Sequence, residues 1–303
     1  MRVSIVLCTC NGAAYLQEQL DSFLLQTILP DELVVCDDMS TDNTMAILQE
    51  FQSRAPFHVI IRQNPVRFGP RENFQQAVTM ANGDIIFLSD QDDIWTERKI
   101  AAYLALFSTE PDALLVFSNG ELMDENGQSL HGTLWDKWGF DEKTREAWQS
   151  NGTAFDHLLR NNNKVTGAAV AIRSTLREKA IPFCTQTAHW HDAWLALIAA
   201  GLNGLRFING SFIQYRVHPT QQVGLGDRLN PLKKELEKEG PAKARLRQLH
   251  FEKKISELFP EKKEFDRMRI EQEINLLKEE IVQQANPFSK LKKIFRAATF
   301  RTS

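Results

Sequence analysis

Short apolar runs alternate with segments of helical spacing through the first hundred residues, and that alternation restricts the chain to an α/β fold. Val3–Cys8 is a near-continuous apolar run, the mark of a strand buried on both faces. Tyr15, Leu16, Leu20, Phe23 and Leu24 follow at helical spacing and stop before Pro30. Leu33–Cys36, Val59–Ile61 and Ile85–Leu88 repeat the strand pattern. Met45, Ile47, Leu48 and Phe51, then Phe74–Met80, supply the helices between them. Such a succession requires right-handed crossovers and predicts a mostly parallel sheet flanked by helices. Ala113–Ser118 and Gly167–Ile172 predict two further strands, and Ala193–Ala200 a helix with His191 and Asp192 in its cap region. Residues 119–165, rich in Asn, Asp, Gly and Trp, read as a loop-dominated insertion over the sheet edge.

The composition changes after Gly226. Residues 233–285 are dense in Glu, Lys, Leu and Ile at helical spacing, with Pro241 and Pro260 as breaks. The chain therefore divides into a domain over 1–226 and a helical C-terminal extension over 227–303. Phe265, Met268, Glu271–Leu277 and Ile281 predict a helix pair or a seam between copies in a homo-oligomer. Residues 287–303 hold Lys290, Lys292, Lys293, Arg296 and Arg301 and no acid, interleaved with Phe288, Leu291, Ile294, Phe295 and Phe300. That is a short basic amphipathic helix, suited to an anionic membrane surface or to docking on protein.

No run approaches the length of a membrane span, and the apolar run ending at Thr9 is too short for a signal peptide. Cys8, Cys10, Cys36 and Cys184 read as reduced thiols, since Cys8 and Cys10 share one face of a strand and no second close pair completes a zinc site. The expectation is a cytoplasmic protein, peripheral at the inner face of the cell membrane through its tail. A net charge of −3 gives no electrostatic footprint of nucleic-acid binding.

Ligands of an open parallel sheet bind where strands end, because loops there can gather side chains. Strand one ends in Thr9-Cys10-Asn11-Gly12, strand two in Asp37-Asp38, and strand four in Ser89-Asp90-Gln91-Asp92-Asp93. No G-x-G-x-x-G turn follows strand one, which argues against a dinucleotide cofactor. Three carboxylates within four residues repel one another, and Asp90, Asp92 and Asp93 therefore suit Mg²⁺ or Mn²⁺, hard ions that share carboxylates with substrate phosphates. Asp37 or Asp38 matches the ring N3–H of uracil or thymine, or else caps the next helix. Asp192, beside His191, is a general base or an N-cap. His189-Trp190-His191 lacks the further ligands of a zinc site. Tyr215-Arg216-Val217-His218 offers a cation and an imidazole, either of which suits a diphosphate or a metal.

These blocks resemble, in order, those of family 2 glycosyltransferases: Thr9–Gly12, Asp37–Thr44, Asn82–Asp84, Ser89–Trp95, Thr166–Ala169, His191–Trp194 and Tyr215–His218. The Asp90–Trp95 and His191–Trp194 blocks look most like bacterial rhamnosyltransferase-like members. The resemblance implies a GT-A (Rossmann-like) fold and an inverting transfer of a sugar, rhamnose for that subgroup, from a UDP- or dTDP-sugar. The acceptor is then a hydroxyl of a bacterial surface glycan or a lipid-linked acceptor. It assigns Thr9, Cys10, Asn11, Asp38, Arg71, Asp90 and Gly167 to the nucleotide sugar. Asp92 with Asp90 and His218 falls to the metal, and Asp192 to the base. Family members often place Tyr or Phe where this chain has Cys10, so stacking on the nucleobase is altered. Two rival readings are a nucleotidyltransferase, which wants a basic Gly-rich phosphate loop after strand one, and a non-catalytic protein that binds a nucleotide sugar or glycan on the same fold.

Overall fold

The computed structural model of the chain describes residues 1–150, 152–160, 163–184, 190–221, 240–261 and 265–285. Two compact units are present. The first is built on a nine-stranded sheet: β1 (Val3–Thr9), β2 (Glu32–Asp37), β3 (His58–Gln63), β4 (Ile85–Ser89), β5 (Ile94–Trp95), β6 (Leu115–Met123), β7 (Ser129–Thr133), β8 (Val170–Arg173) and β9 (Leu205–Arg216). Their spatial order is β3-β2-β1-β4-β8-β6-β9-β5, with β7 beside β6. β1 to β4 pair in parallel, β8 runs antiparallel between β4 and β6, and β9 lies parallel to β6. β5 and β7 pair antiparallel with β9 and β6.

Every residue of β1, β2 and β4 is buried, as their unbroken apolar runs require. Helices α1 (Leu16–Leu24), α2 (Thr44–Arg54) and α4 (Lys99–Thr109) pack on the face that carries Val3, Ile5 and Leu7. α3 (Pro70–Met80) and α9 (His191–Gly201) touch each other, and α3 lies against β1 and β2. Register brings the strand ends close together: Thr9 pairs with Asp37, and Ser89 pairs with Leu7, two residues before the end of β1. The three polar turns after β1, β2 and β4 thus meet at one edge.

Three sequence expectations are corrected. Residues 119–165 are largely regular: β6 continues to Met123, β7 follows, and α5 (Leu134–Trp138), α6 (Glu142–Ser150) and α7 (Ala154–Leu159) come next. Their stability comes from an aromatic cluster in which Trp135, Phe140, Trp148 and Phe207 surround Phe117, a contact set with no local period. Gly167–Ala169 forms a 3-10 turn, so the strand begins at Val170. His191 and Asp192 lie inside the first turn of α9, whose N-cap is Trp190. Helix α8 (Ser174–Ala180) completes this unit.

The second unit holds α10 (Pro241–Leu258) and α11 (Arg267–Ala285). Pro241 opens α10 in its first turn, where a missing N–H costs nothing, and so starts the helix instead of breaking one. Leu249, Ile270 and Ile274 form the shared core, with Leu246, Phe265 and Leu277 packed against it. The expected helix pair is therefore made within one chain, while Met268 stays 74% exposed. The basic tail 287–303 lies outside the described residues. Among the described residues no helix is long and apolar enough to cross a membrane.

Candidate active site

Left-handed turns shape the site. Asn11 (φ 52°) and Met39 (φ 57°) are both non-glycine residues in a conformation that Asn tolerates and Met rarely adopts. They lock together: Asn11 N–H donates to Ser40 Oγ at 2.7 Å, and Thr41 N–H donates to Asn11 Oδ1 at 2.8 Å. Gln91 reaches from the end of β4 to receive the Cys10 N–H at 2.8 Å and donates back to the Cys10 carbonyl at 3.3 Å. A Cβ at position 12 would stand 2.2 Å from Gln91 Oε1, so Gly12 leaves room for the Gln91 side chain in this position. Gln91 is a site residue that the sequence reading passed over. Its only local signal was its place between Asp90 and Asp92.

The paired aspartates after β2 divide their work. Asp37 is wholly buried and accepts from Thr9 Oγ1 (2.8 Å), Ser40 N–H (2.8 Å), Ser40 Oγ (2.5 Å) and Gln63 Nε2 (3.0 Å). It is scaffold. Asp38 accepts from Asn64 Nδ2 (3.0 Å), Phe68 N–H (2.8 Å) and Gly69 N–H (2.8 Å), so it fastens the loop ahead of α3. A carboxylate has about four acceptor directions, which leaves one on Oδ2 for a ligand N–H. Neither aspartate caps α2, whose N-cap is Asn43. Arg71, in the first turn of α3, is 8% exposed and close enough to His191 for its charge to act on that ring.

The acidic cluster also splits. Asp93 is wholly buried and turned inward, with its Oδ1 taking the Arg216 N–H at 3.0 Å. Burial first, then the charges of Asp92 and Asp90, push its carboxyl well up. Asp92 faces the site, and its Oδ2 lies 2.9 Å from His218 Nε2, 126 residues away in sequence. The other nitrogen of His218 meets Thr220 Oγ1 at 2.8 Å, and its ring rests on Tyr15 at 4.7 Å. Burial raises Asp90 from 3.8 to about 7, with Asp92 and then Asp192 adding to the effect. Asp90 thus feels both the β4 turn and the start of α9, and the two halves of the site face each other. Arg216 is committed within the fold: it is 1% exposed, holds the Asp92 carbonyl at 2.8 Å and pairs with Glu18 at 2.5 Å.

Asp192 accepts from Gly167 N–H at 3.1 Å and Ala193 N–H at 2.7 Å. Burial raises it from 3.8 to about 6 against the pull of those bonds. His191 is stacked on Phe74 at 3.9 Å, both ring nitrogens have no hydrogen-bond partner among the described residues, and burial lowers it to about 3. It is neutral at ordinary pH. His189 lies outside the described residues. A Cβ on Gly167 would sit 2.9 Å from His191 Nε2 and 3.5 Å from Asp192 Cβ. Gly167→Ala is therefore expected to cost about 1–3 kcal/mol of stability, the usual range for an overpacked site, and to lower turnover by displacing Asp192. Melting and steady-state kinetics on the one variant check both effects. Lys99 is a second residue the sequence reading missed: wholly buried under the acidic turn, it donates to the Ala168 carbonyl at 2.6 Å and lies 3.6 Å above the Trp95 ring.

Among the described residues no three His, Cys, Asp or Glu side chains cluster closely enough to hold a metal on their own. The donors still fit a hard divalent ion that completes its shell with water and phosphate oxygens. Asp92 and His218 already converge at 2.9 Å, and Asp90 is held up partly by the charge of Asp92, a repulsion that a cation relieves.

Residues 4–177 match the model of glycosyl transferase family 2. A dTDP-rhamnosyl transferase of Shigella flexneri, RfbG, is 39% identical over 98 residues, which are 31% of this chain and 34% of that one. Other curated relatives are longer: the chain spans 65% of the length of one and 37% of three more. Staphylococcus aureus TarS (residues 1–349, in complex with UDP-GlcNAc) superposes with a TM-score of 0.57 at 15% identity, covering 85% of this chain and 73% of that one. The mannosyltransferase PcManGT of Pyrobaculum calidifontis, in complex with GDP-Man and Mn²⁺, gives 0.50 at 16%, covering 98% and 80%. At such identities the likeness shows the fold, which is GT-A. With more than half of its 303 residues matched by the family model, the chain belongs to glycosyl transferase family 2.

Proposed function

We propose that the protein is an inverting, divalent-metal-dependent glycosyltransferase. It moves a sugar, rhamnose in our reading, from a UDP- or dTDP-linked donor to a hydroxyl of a bacterial surface glycan or a lipid-linked acceptor. One observation carries this: Asp192, raised to about 6, faces an acid pair at the end of β4 whose Asp90 senses its charge. A carboxylate with a pKa near the working pH is suited to take a proton from a hydroxyl.

In this reading Asp38 uses its remaining lone pair for the N3–H of the pyrimidine, with Thr9, Cys10 and Asn11 beside the base. Arg71 and Asp90 contact the donor, and Gly167 holds Asp192 in place through its N–H. Asp92 and His218, with Asp90, would hold Mg²⁺ or Mn²⁺, which would supply positive charge beside the diphosphate. Asp192 accepts the acceptor's hydroxyl proton as that oxygen bonds to the anomeric carbon. The electrons of the broken carbon–oxygen bond leave with the nucleoside diphosphate. Attack from the face opposite the leaving group inverts the anomeric centre. The likeness to the Shigella enzyme supports rhamnose, and Mn²⁺ in the Pyrobaculum complex supports the metal.

A panel of UDP-, dTDP- and GDP-sugars, assayed for released nucleoside diphosphate with Mn²⁺, with Mg²⁺ and with EDTA, tests this. Turnover of dTDP-rhamnose or a UDP-sugar that needs the metal is expected. No release from any donor with either ion would overturn the reading.

A further inference from the structure

Two side chains of α4 reach across to the turn that holds Asp192. Lys99 and Tyr103 stand four residues apart, on one face of the helix, and both are wholly buried. Lys99 Nζ donates to the Ala168 carbonyl at 2.6 Å, and the Tyr103 hydroxyl donates to the Ala169 carbonyl at 2.7 Å. These are consecutive carbonyls of the Gly167–Ala169 turn. Gly167, its first residue, gives its N–H to Asp192 at 3.1 Å, and the Ala169 N–H closes on the Thr166 carbonyl at 2.9 Å. One end of the turn is held by α4, and the other carries Asp192.

Stability alone does not account for a lysine here. Burying its amine costs free energy whether the group stays charged or gives up its proton. Lys99 is also the first residue of α4, where the helix dipole disfavours a cation. A neutral hydroxyl satisfies a backbone carbonyl without either cost, as Tyr103 does at the neighbouring residue of the turn. What lysine adds is reach to the acidic turn after β4. Burial pulls the Lys99 amine well down, and the charges of Asp93 and then Asp90 oppose that pull. One side chain thus feels the acids of one half of the site while it grips the turn that carries Asp192 in the other.

We propose that Lys99 and Tyr103 are positioning residues of sugar transfer: through the Gly167–Ala169 turn they set where Asp192 stands relative to the acceptor hydroxyl. This rests on the glycosyltransferase reading above. Both side chains are wholly buried, so they act through the turn and not on a substrate.

Tyr103→Phe in the full-length protein is the cleaner probe, since it removes one hydroxyl and one bond but no charge. Its kcat should fall roughly three- to tenfold, about what one neutral hydrogen bond is worth, while donor KM holds. Lys99→Met keeps the length of the side chain and should lower kcat by about tenfold or more, because bonds from charged donors are the stronger ones. Amide exchange in EDTA, without donor, reads the turn directly: the Gly167 and Ala169 N–H groups should exchange roughly threefold faster or more in both variants. A structural role alone would lower the melting temperature and leave the kcat of the folded protein unchanged. The proposal is overturned if these amides exchange at wild-type rates in Tyr103→Phe, or if they exchange faster while kcat holds. It is overturned equally if donor KM changes as much as kcat. Should Lys99→Met not fold, Tyr103→Phe decides by itself. Exchange needs no donor, so faster exchange in a protein that turns over no donor would count against the transferase reading alone.

Discussion

Asp192→Asn should lower the rate of sugar transfer by something on the order of 10²–10⁴ while donor affinity holds, the span attributed to a positioned proton acceptor. Asn can keep one of the two backbone bonds that orient the side chain, from Gly167 or from Ala193, but it cannot take a proton. The pH profile sharpens the test. With Asp192 at about 6, wild-type kcat/KM should fall roughly tenfold per pH unit below that value, since only the ionised form acts as base. The variant should lose this limb.

Stability must move the other way. The folded chain holds the Asp192 proton more tightly than the unfolded chain does, because its pKa rises from 3.8 to about 6 on burial. Below about pH 4 the group is protonated in both states and contributes no penalty; as pH rises through about 6, ionising it costs the folded state stability. Melting of wild type and Asp192→Asn in EDTA should therefore diverge between those pH values, with wild type losing ground. Equal rates in the two proteins across pH would move the base role to another group, and the neutral, buried His191 is poorly suited to it.

Asp92→Ala should remove metal-dependent turnover, a loss on the order of 10³-fold if the charge it anchors is worth as much as one transition-state donor group. Asp92 is the one carboxylate of its cluster in contact with His218, so no neighbour replaces it: Asp93 is turned toward β9, and Asp90 is itself hard to ionise. Titrating Mn²⁺ into EDTA-treated protein checks this, since wild type should recover and the variant should not. The fold should persist, because Arg216 grips the Asp92 carbonyl and not its side chain. Full activity of Asp92→Ala in EDTA would end the metal-dependent mechanism.

Much of this site was legible in the chain. Val3–Cys8, Leu33–Cys36 and Ile85–Leu88 declare strands buried on both faces, because a two-sided parallel strand leaves no position for a polar alternation. Their order then forces Thr9, Asp38 and Asp90–Asp92 to a common edge. What escaped was the segment 119–165, whose short helices have too few apolar residues to show a period and depend on distant aromatics such as Phe117 and Phe207.

By itself the sequence determined the family, the parallel half of the sheet and the edge at which acids collect, since local hydrophobic pattern and chain order suffice for those. It could not separate neighbours of identical chemistry. Asp37 and Asp38, or Asp92 and Asp93, are equivalent as letters. Only the packed sheet turns one of each pair inward, to Thr9 or to the Arg216 backbone, and leaves the other facing His218 or the loop ahead of α3. The same holds for Asp92 with His218 and for Gly167 with Asp192, contacts across 126 and 25 residues. Such contacts exist only once the intervening chain has crossed the sheet and returned, and no window of local pattern spans that distance.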